Sequence, residues 1–141
     1  MERAMYEVHT EITLKNGYDV GKASEGGINE NEVRQVTVDA VVDTGAWTLI
    51  INEETRAKLG FSARGTDWVN LADGGKTDCA IVGPVEVWWK NRWNLQNALM
   101  LPNSKEILLG AIPMEAMDIT VDTRAGKVVG AHGDQIIHRL Y

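Results

Sequence analysis

Cysteine, phenylalanine and proline are scarce in this sequence of 141 residues, which contains one Cys, one Phe and three Pro. A single cysteine, Cys79, excludes an internal disulfide, and with it a small secreted scaffold held together by disulfides. No apolar run approaches the roughly 18 residues that a membrane-spanning helix needs, and residues 1–7 lack the apolar core of a signal peptide. We therefore expect a cytoplasmic protein that has no membrane partner.

Positive charge is also in short supply: 14 Lys and Arg face 20 Asp and Glu, which gives a net charge of −6. This balance argues against nucleic acid as the main partner, because phosphate binding requires clustered basic residues. No Cys or acidic cluster of metal-ligand spacing joins the three histidines, His9, His132 and His138, and no glycine-rich phosphate loop is present. We expect neither a metal nor a cofactor.

What the sequence has in quantity is short apolar runs, many of them ending near one of its 14 glycines. Polar and apolar residues alternate in several of these runs, which predicts strands. Helix signals are few: Asn52 as N-cap and Gly60 as stop predict one short helix, and 112–117 is long enough for another. Hydrophobic residues make up 44% of the chain, enough for one core, so we predict a mainly β fold and a single domain over residues 1–141.

Three connections between the predicted strands stand out. The polar, glycine-rich stretch 15–32 is interpreted as an enlarged, mobile hairpin loop. An Asp-Gly pair at 73–74 between two apolar runs predicts a tight hairpin, and a further hairpin is predicted around 90–92. The second hairpin brings together Trp88, Trp89 and Trp93. These side chains form either a platform for carbohydrate or peptide or cross-strand packing, and hairpin ribbons favour the packing.

The sharpest local feature is an Asp-Thr-Gly at 43–45, directly after the apolar residues Val41 and Val42. An isolated Asp-Thr-Gly also suits an ordinary turn. Here, however, the aspartate lies between two apolar runs, and a carboxylate removed from water needs hydrogen bonds or a shared proton. A later apolar run, 107–110, ends in Gly110, which would leave space beside that carboxylate if the two runs were neighbours.

These residues resemble the retropepsin-like aspartic proteases of clan AA, and most closely the small bacterial proteins described as predicted aspartyl proteases. The similarity rests on the Asp-Thr-Gly-Ala motif at 43–46, the hairpin at 72–75 and the apolar-apolar-Gly motif at 108–110, and it spans roughly 33–129. It implies a closed, barrel-like β lobe with a flap hairpin and one or two short helices, which acts as a homodimer.

The resemblance also implies residue roles. Asp43 is the acid/base that holds the attacking water, Thr44 braces the site by hydrogen bonding, and Gly45 approaches the substrate backbone. Further residues are implied to contact the substrate, the last four of them from the flap hairpin: Ala46, Trp47, Ala72, Asp73, Gly74 and Gly75. Leu109 and Gly110 are implied to support the site.

Two positions depart from the retroviral pattern. Those enzymes carry an acidic residue where Trp47 stands and an arginine where Ala111 stands, and the two groups form an ion pair. Both groups are absent here, which costs less than an ion pair broken on one side. We therefore expect a dimer organised differently, and Trp47 either lines a substrate pocket or belongs to the core.

The aspartic protease mechanism needs two carboxylates that share a proton, and this chain has one Asp-Thr-Gly. The other Asp-Thr, at 122–123, precedes Arg124 and is interpreted as a turn. A two-fold dimer would supply the second carboxylate from another Asp43. We therefore predict a homodimeric aspartic endopeptidase acting on a peptide or protein substrate. Two alternatives stay open: an inactive dimerisation or peptide-binding module with the same fold, and an unrelated β-barrel that binds a small ligand.

Overall fold

The computed structural model describes residues 7–71 and 73–137. Within them, nine strands and three α-helices follow one another along the chain. The elements are β1 (His9–Asn16), α1 (Gly17–Ser24), a 3-10 turn (Glu30–Glu32), β2 (Gln35–Val42), β3 (Leu49–Ile51), α2 (Glu53–Leu59), β4 (Gly65–Asn70), β5 (Lys76–Trp89), β6 (Arg92–Met100), β7 (Leu108–Leu109), α3 (Ala111–Ala116), β8 (Ile119–Asp122) and β9 (Lys127–Gly130). No helix among the described residues is long and apolar enough to cross a membrane.

Six strands close into a barrel. Their order is β1-β2-β7-β3-β6-β5, and β5 pairs again with β1. Closure removes the exposed sheet edges that an open sheet would leave. Strand β4 pairs with β5 outside the barrel, and β8 and β9 form a separate hairpin. The predicted mainly β architecture with few short helices is confirmed.

Side chains that alternate along the strands fill the barrel. Ile12 and Leu14 on β1 are fully buried, as are Val85 and Val87 on β5. Each pair lies two residues apart, so its members point to the same face of the sheet. The single cysteine, Cys79, is buried as well, as expected of a small apolar side chain.

The segment 15–32 is not the loop that its glycines predict, because it contains helix α1. The Asn16 side chain caps that helix, with its Oδ1 accepting hydrogen bonds from the backbone N of Tyr18 (2.9 Å) and Asp19 (3.2 Å). The buried Asp19 carboxylate accepts from Arg34, at 2.7 Å from its Nε and 2.9 Å from its Nη2. These contacts order a connection whose composition suggests a structureless chain.

The other local predictions agree with the structure. Helix α2 begins after Asn52, whose Oδ1 accepts from the backbone N of Thr55 at 2.9 Å, and ends at Gly60 with φ of +73°. Trp88 and Trp93 face each other across β5 and β6 with ring centroids 6.1 Å apart. This confirms cross-strand packing at that hairpin.

Candidate active site

Three strands converge at the Asp-Thr-Gly motif. The short strand β7 lies between β2 and β3, parallel to the first and antiparallel to the second. Val42 and Leu109 are partners in the parallel pairing, and the backbone N of Asp43 donates to the Leu109 carbonyl oxygen at 3.0 Å. The late apolar run therefore lies beside the strand that carries Asp43, the arrangement that the sequence raised as a condition, and Leu109 is buried there.

The turn after β2 folds back on the Asp43 carboxylate. The Gly45 backbone N donates to Asp43 Oδ1 at 3.0 Å, and the Ala46 N donates to the Asp43 carbonyl oxygen at 3.0 Å. A Cβ at Gly45 would lie 3.2 Å from Asp43 Oδ1, so a side chain there would crowd the carboxylate. Asp43 is half-buried in the single chain, and Thr44 is exposed. The Thr44 hydroxyl makes no hydrogen bond to the described residues of its own chain.

Position 110 needs glycine because neighbouring backbone atoms leave no room for a Cβ, and not because of its backbone conformation. Its φ of −86° is one that any residue adopts. A Cβ there, however, would lie 2.7 Å from the Ala46 carbonyl oxygen and from the Thr48 backbone N, and closer still to the Thr48 carbonyl oxygen. Backbone atoms cannot rotate away as a flexible side chain does, so β7 and the turn pack without any side chain between them.

The start of helix α3 also holds the turn. The Ala111 backbone N donates to the Ala46 carbonyl oxygen at 2.9 Å, and the Ile112 N donates to the Trp47 carbonyl oxygen at 2.8 Å. The Trp47 side chain itself is 79% exposed. It is therefore not part of the core, and of the two interpretations of Trp47 the core one is wrong.

The hairpin between β4 and β5 has a tight, well-bonded tip. The Leu71 backbone N donates to the Gly75 carbonyl oxygen at 2.7 Å, and the Gly75 N donates to Asp73 Oδ1 at 2.8 Å. Gly74 has φ of +87°, which glycine adopts without strain. The predicted hairpin is confirmed, while Ala72 lies outside the described residues. That this tip covers a substrate stays a prediction.

A protein-family model described as aspartyl protease matches residues 27–111. The matched region contains the Asp-Thr-Gly turn, the β4–β5 hairpin and the β7 strand that lies beside Asp43, and it is more than half of the chain. This chain belongs to the aspartyl protease family. No curated protein sequence matches it significantly.

This aspartyl protease has a cavity that sequence reasoning missed. About 310 Å³ of space lies between the hairpin residues Leu71 and Thr77 and the loop 101–104. The Asn52 Nδ2 fixes the end of that loop by donating to the Lys105 carbonyl oxygen at 2.7 Å. The sequence signal was weak: a polar loop with Pro102, directly before the late motif. The loop connects β6 to β7 and lies next to the β4–β5 hairpin.

The chain that follows α3 is tied to the end of that helix. Asp118 Oδ2 lies 2.8 Å from His132 Nδ1 and accepts from the Ile137 backbone N at 3.0 Å. The hydrogen bond to His132 is the main reason why the pKa of Asp118 lies below its ordinary value. The buried Arg92 guanidinium donates to the carbonyl oxygens of Met117, Asp118 and Gly133. In the described part of the chain no cluster of His, Cys, Asp or Glu has the arrangement of a metal site.

Proposed function

We propose that this aspartyl protease is an endopeptidase whose catalytic dyad consists of Asp43 from two copies of the chain. The observation that carries the proposal is the fixed position of Asp43, at the end of β2 with its backbone N bonded to Leu109 and its Oδ1 bonded to Gly45. Hydrogen bonds that orient a carboxylate before substrate arrives are what acid–base catalysis requires.

The second carboxylate has to come from another chain. The remaining Asp-Thr of this sequence has Asp122 at the end of β8, where its Oδ1 accepts from the backbone N of Arg124 and Ala125, both at 3.1 Å. The Asp122 side chain therefore stabilises a turn, as its sequence context predicted. A two-fold axis beside Asp43 brings two identical carboxylates together, and two carboxylates at close range share one proton.

The chemistry follows from that shared proton. The ionised carboxylate removes a proton from a water molecule, and the water oxygen attacks the carbonyl carbon of the peptide bond. The protonated carboxyl group gives its proton to the carbonyl oxygen, and a tetrahedral diol forms. The protonated carboxyl group of the dyad then gives its proton to the amide nitrogen while the other carboxylate takes a proton from a diol hydroxyl, and the C–N bond breaks to yield a carboxylic acid and an amine. The dyad ends with one proton, as it began.

The surroundings favour a peptide substrate with apolar side chains. Leu71, Leu101 and Pro102 line the cavity between the hairpin and the loop, and the exposed indole of Trp47 extends from the catalytic turn. A hairpin that closes over a bound peptide excludes water from the reacting bond. We assign to this flap the described tip residues Leu71, Asp73, Gly74 and Gly75.

Replacement of Asp43 tests the proposal. Asp43→Asn keeps the size of the side chain and its acceptor oxygen for Gly45, but it cannot shuttle a proton, so cleavage of an unstructured peptide library should fall by at least about a thousandfold. Asp122→Asn is the matched control, because it keeps the turn acceptor and lies outside the dyad. Mass spectrometry of the products measures both. Cleavage by Asp43→Asn at a rate near that of the wild type would remove the catalytic assignment.

A further inference from the structure

Helix α3 connects the catalytic turn to the buried Arg92. At its start, two backbone N–H groups hold the turn, one of them from Ile112 to the Trp47 carbonyl oxygen at 2.8 Å. Just past its other end, the carbonyl oxygens of Met117 and Asp118 accept from the Arg92 guanidinium, the first of them at 3.3 Å. A helix of six residues is about 9 Å long, so the guanidinium lies one short helix away from the turn.

The charge of Arg92 is compensated by backbone carbonyl oxygens rather than by a carboxylate. The residue is 2% exposed, and none of the ion pairs among the described residues includes it. Its Nε has no hydrogen-bond partner in that part of the chain. Burial of a cation is costly unless polar groups replace the lost water. Here the carbonyl oxygens do so, together with the Trp89 ring, whose centroid lies 5.8 Å from the guanidinium carbon.

Three segments of backbone meet at this guanidinium. Besides the end of α3, the Gly133 carbonyl oxygen accepts from it, in the chain that follows β9. Gly130, the last residue of β9, leaves space for the guanidinium, because a Cβ there would overlap Arg92 Nη2. The planar fork of an arginine reaches several acceptors in fixed directions, which the ammonium of a lysine does not. Arg92 therefore fixes the end of α3 relative to β6 and β9.

We propose that Arg92 is a positioning residue for Asp43, which acts through α3 on the catalytic turn. The inference rests on the proposed function, since it takes Asp43 as the residue that performs the chemistry. The hydrogen bonds of Arg92 go to the end of α3 and to Gly133, and none of them reaches the turn itself. Its effect on Asp43 therefore has to pass through the helix.

Apolar packing alone does not fix α3 along its axis. Met114 and Met117 are buried in the core, which holds the helix against the barrel, but apolar contact has no preferred direction. Hydrogen bonds do have one, and α3 makes them at both of its ends. Loss of the bonds at one end lets the helix shift, and the shift reaches the turn through Ile112. A displacement of about 1 Å at the reacting groups can lower the rate about a hundredfold.

Replacement of Arg92 by lysine tests the proposal. Arg92→Lys keeps the charge but cannot hold three carbonyl oxygens as the guanidinium does, so kcat for peptide cleavage should fall at least about tenfold. KM should change by less than about twofold, because the loop 101–104 of the cavity is held by Asn52 and not by α3. Rates are measured at protein concentrations where specific activity no longer rises, so that a weaker dimer is not mistaken for a lower kcat.

Arg34→Lys is the matched control. Arg34 also uses its guanidinium to hold a neighbouring element, because it donates to the Asp19 carboxylate of α1 at 2.7 Å and 2.9 Å. Its replacement should lower the free energy of unfolding as well, but should leave kcat unchanged, since α1 does not hold the turn. Urea unfolding measures the loss of stability in both variants. An equal fall of kcat in both would overturn the proposal, because a general loss of stability would then explain it.

Hydrogen exchange provides a measurement that does not depend on activity. In Arg92→Lys, the amide protons of Ala111 and Ile112 should exchange at least about tenfold faster, because their bonds to the turn open more often. The amide of Leu101, which is bonded to β3 at 3.0 Å, should keep its rate. Gly130→Ala leaves Arg92 in place and crowds its Nη2, so it should change kcat and amide exchange in the same direction. It decides the question if Arg92→Lys does not fold.

The outcomes separate the positioning role from the proposed function. The role is overturned if folded Arg92→Lys, or Gly130→Ala in its place, keeps either the wild-type kcat or the wild-type exchange at Ala111 and Ile112. A raised KM with an unchanged kcat would overturn it too. A wild type that cleaves no peptide, while these amides exchange faster in Arg92→Lys, refutes the proposed function and supports the link from Arg92 to the turn. An active wild type whose kcat does not respond refutes the positioning role alone.

Discussion

The glycine that follows β7 offers a quantitative test of how the active site is built. In Gly110→Ala, the new methyl group would lie 2.7 Å from the Ala46 carbonyl oxygen, a distance that real Cβ contacts essentially never show. Ordinary contact begins at 3.4 Å, so the turn must move by at least about 0.7 Å, and by more at the Thr48 carbonyl oxygen, which would lie closer still. Overpacking of this kind costs about 1–3 kcal/mol, and weakening of the hydrogen bond from Ala111 N to the Ala46 carbonyl oxygen adds about 1 kcal/mol.

We therefore expect Gly110→Ala to lower the free energy of unfolding by about 3 kcal/mol and to reduce kcat, because the displaced turn carries Asp43. Urea unfolding followed by tryptophan fluorescence measures the first effect, and peptide cleavage measures the second. Gly21→Ala is the control: it lies within α1 with no atom within 4 Å of the new methyl, and should stabilise by about 0.5–1 kcal/mol. A Gly110→Ala protein as stable and active as the wild type would refute the close packing described for this turn.

Three further predictions concern charge, substrate and concentration. The pKa of Asp19 lies below its ordinary value of 3.8, mainly because Arg34 donates to its carboxylate. The ionised Asp19 carboxylate therefore stabilises the fold above about pH 4, and this stabilisation is lost as pH falls through the folded-state pKa. Asp19→Asn should lower the free energy of unfolding by about 1.5–3 kcal/mol at pH 7. Urea unfolding should show that this loss relative to the wild type becomes smaller below pH 4; an equal loss at pH 2 and pH 7 would contradict the prediction. Trp47→Ala should raise KM for peptides with large apolar side chains more than for peptides with small ones, and equal KM changes would exclude the indole from the substrate site. Specific activity should fall on dilution below the dissociation constant of the dimer, because each separated chain holds half of the dyad; constant specific activity at concentrations where sedimentation shows only monomer would contradict a site shared by two chains.

Local patterns were sufficient to predict most of the barrel. Alternation of apolar residues identifies the strands because each strand presents one face to the core, as Ile12 and Leu14 do. Asn52 and Gly60 mark the two ends of α2 because capping requires a side-chain acceptor at one end and a left-handed residue at the other. The pairing of β7 with β2 joins two motifs 65 residues apart; the sequence raised it only as a condition, and the structure shows that the condition is met.

Features that depend on distant partners could not be predicted from the sequence. Helix α1 contains Gly17 and Gly21, which weaken helix signals, and it is held by Arg34 and by contact of the Asn16 side chain with the Leu59 carbonyl oxygen. Neither contact leaves a local pattern. The burial of Arg92 is equally non-local, because its carbonyl partners lie 25 or more residues further along the chain.

The candidate site likewise contains features that local sequence predicts and features that depend on distant parts of the chain. The turn at 43–46 and the glycine behind it could be singled out from the sequence because the proposed chemistry requires those residue types at fixed positions, and the structure places them side by side. The loop 101–104 was missed because a cavity wall only needs an apolar surface at the right place, and many sequences provide one. The exposure of Trp47 likewise depends on the orientation of the turn, which bonds from Ala111 and Ile112 determine.

A mixing experiment tests the central claim, that each active site contains one Asp43 from each of two chains. Wild-type protein is equilibrated with a tenfold excess of the inactive Asp43→Asn chain, and peptide cleavage is measured per wild-type chain. Random exchange leaves about a tenth of the wild-type chains paired with each other, so activity per wild-type chain should fall to about a tenth. An equal excess of Asp122→Asn, which is itself active, should leave the activity per total chain unchanged. Full activity per wild-type chain in the Asp43→Asn mixture, with chain exchange demonstrated, would contradict a dyad shared between two chains.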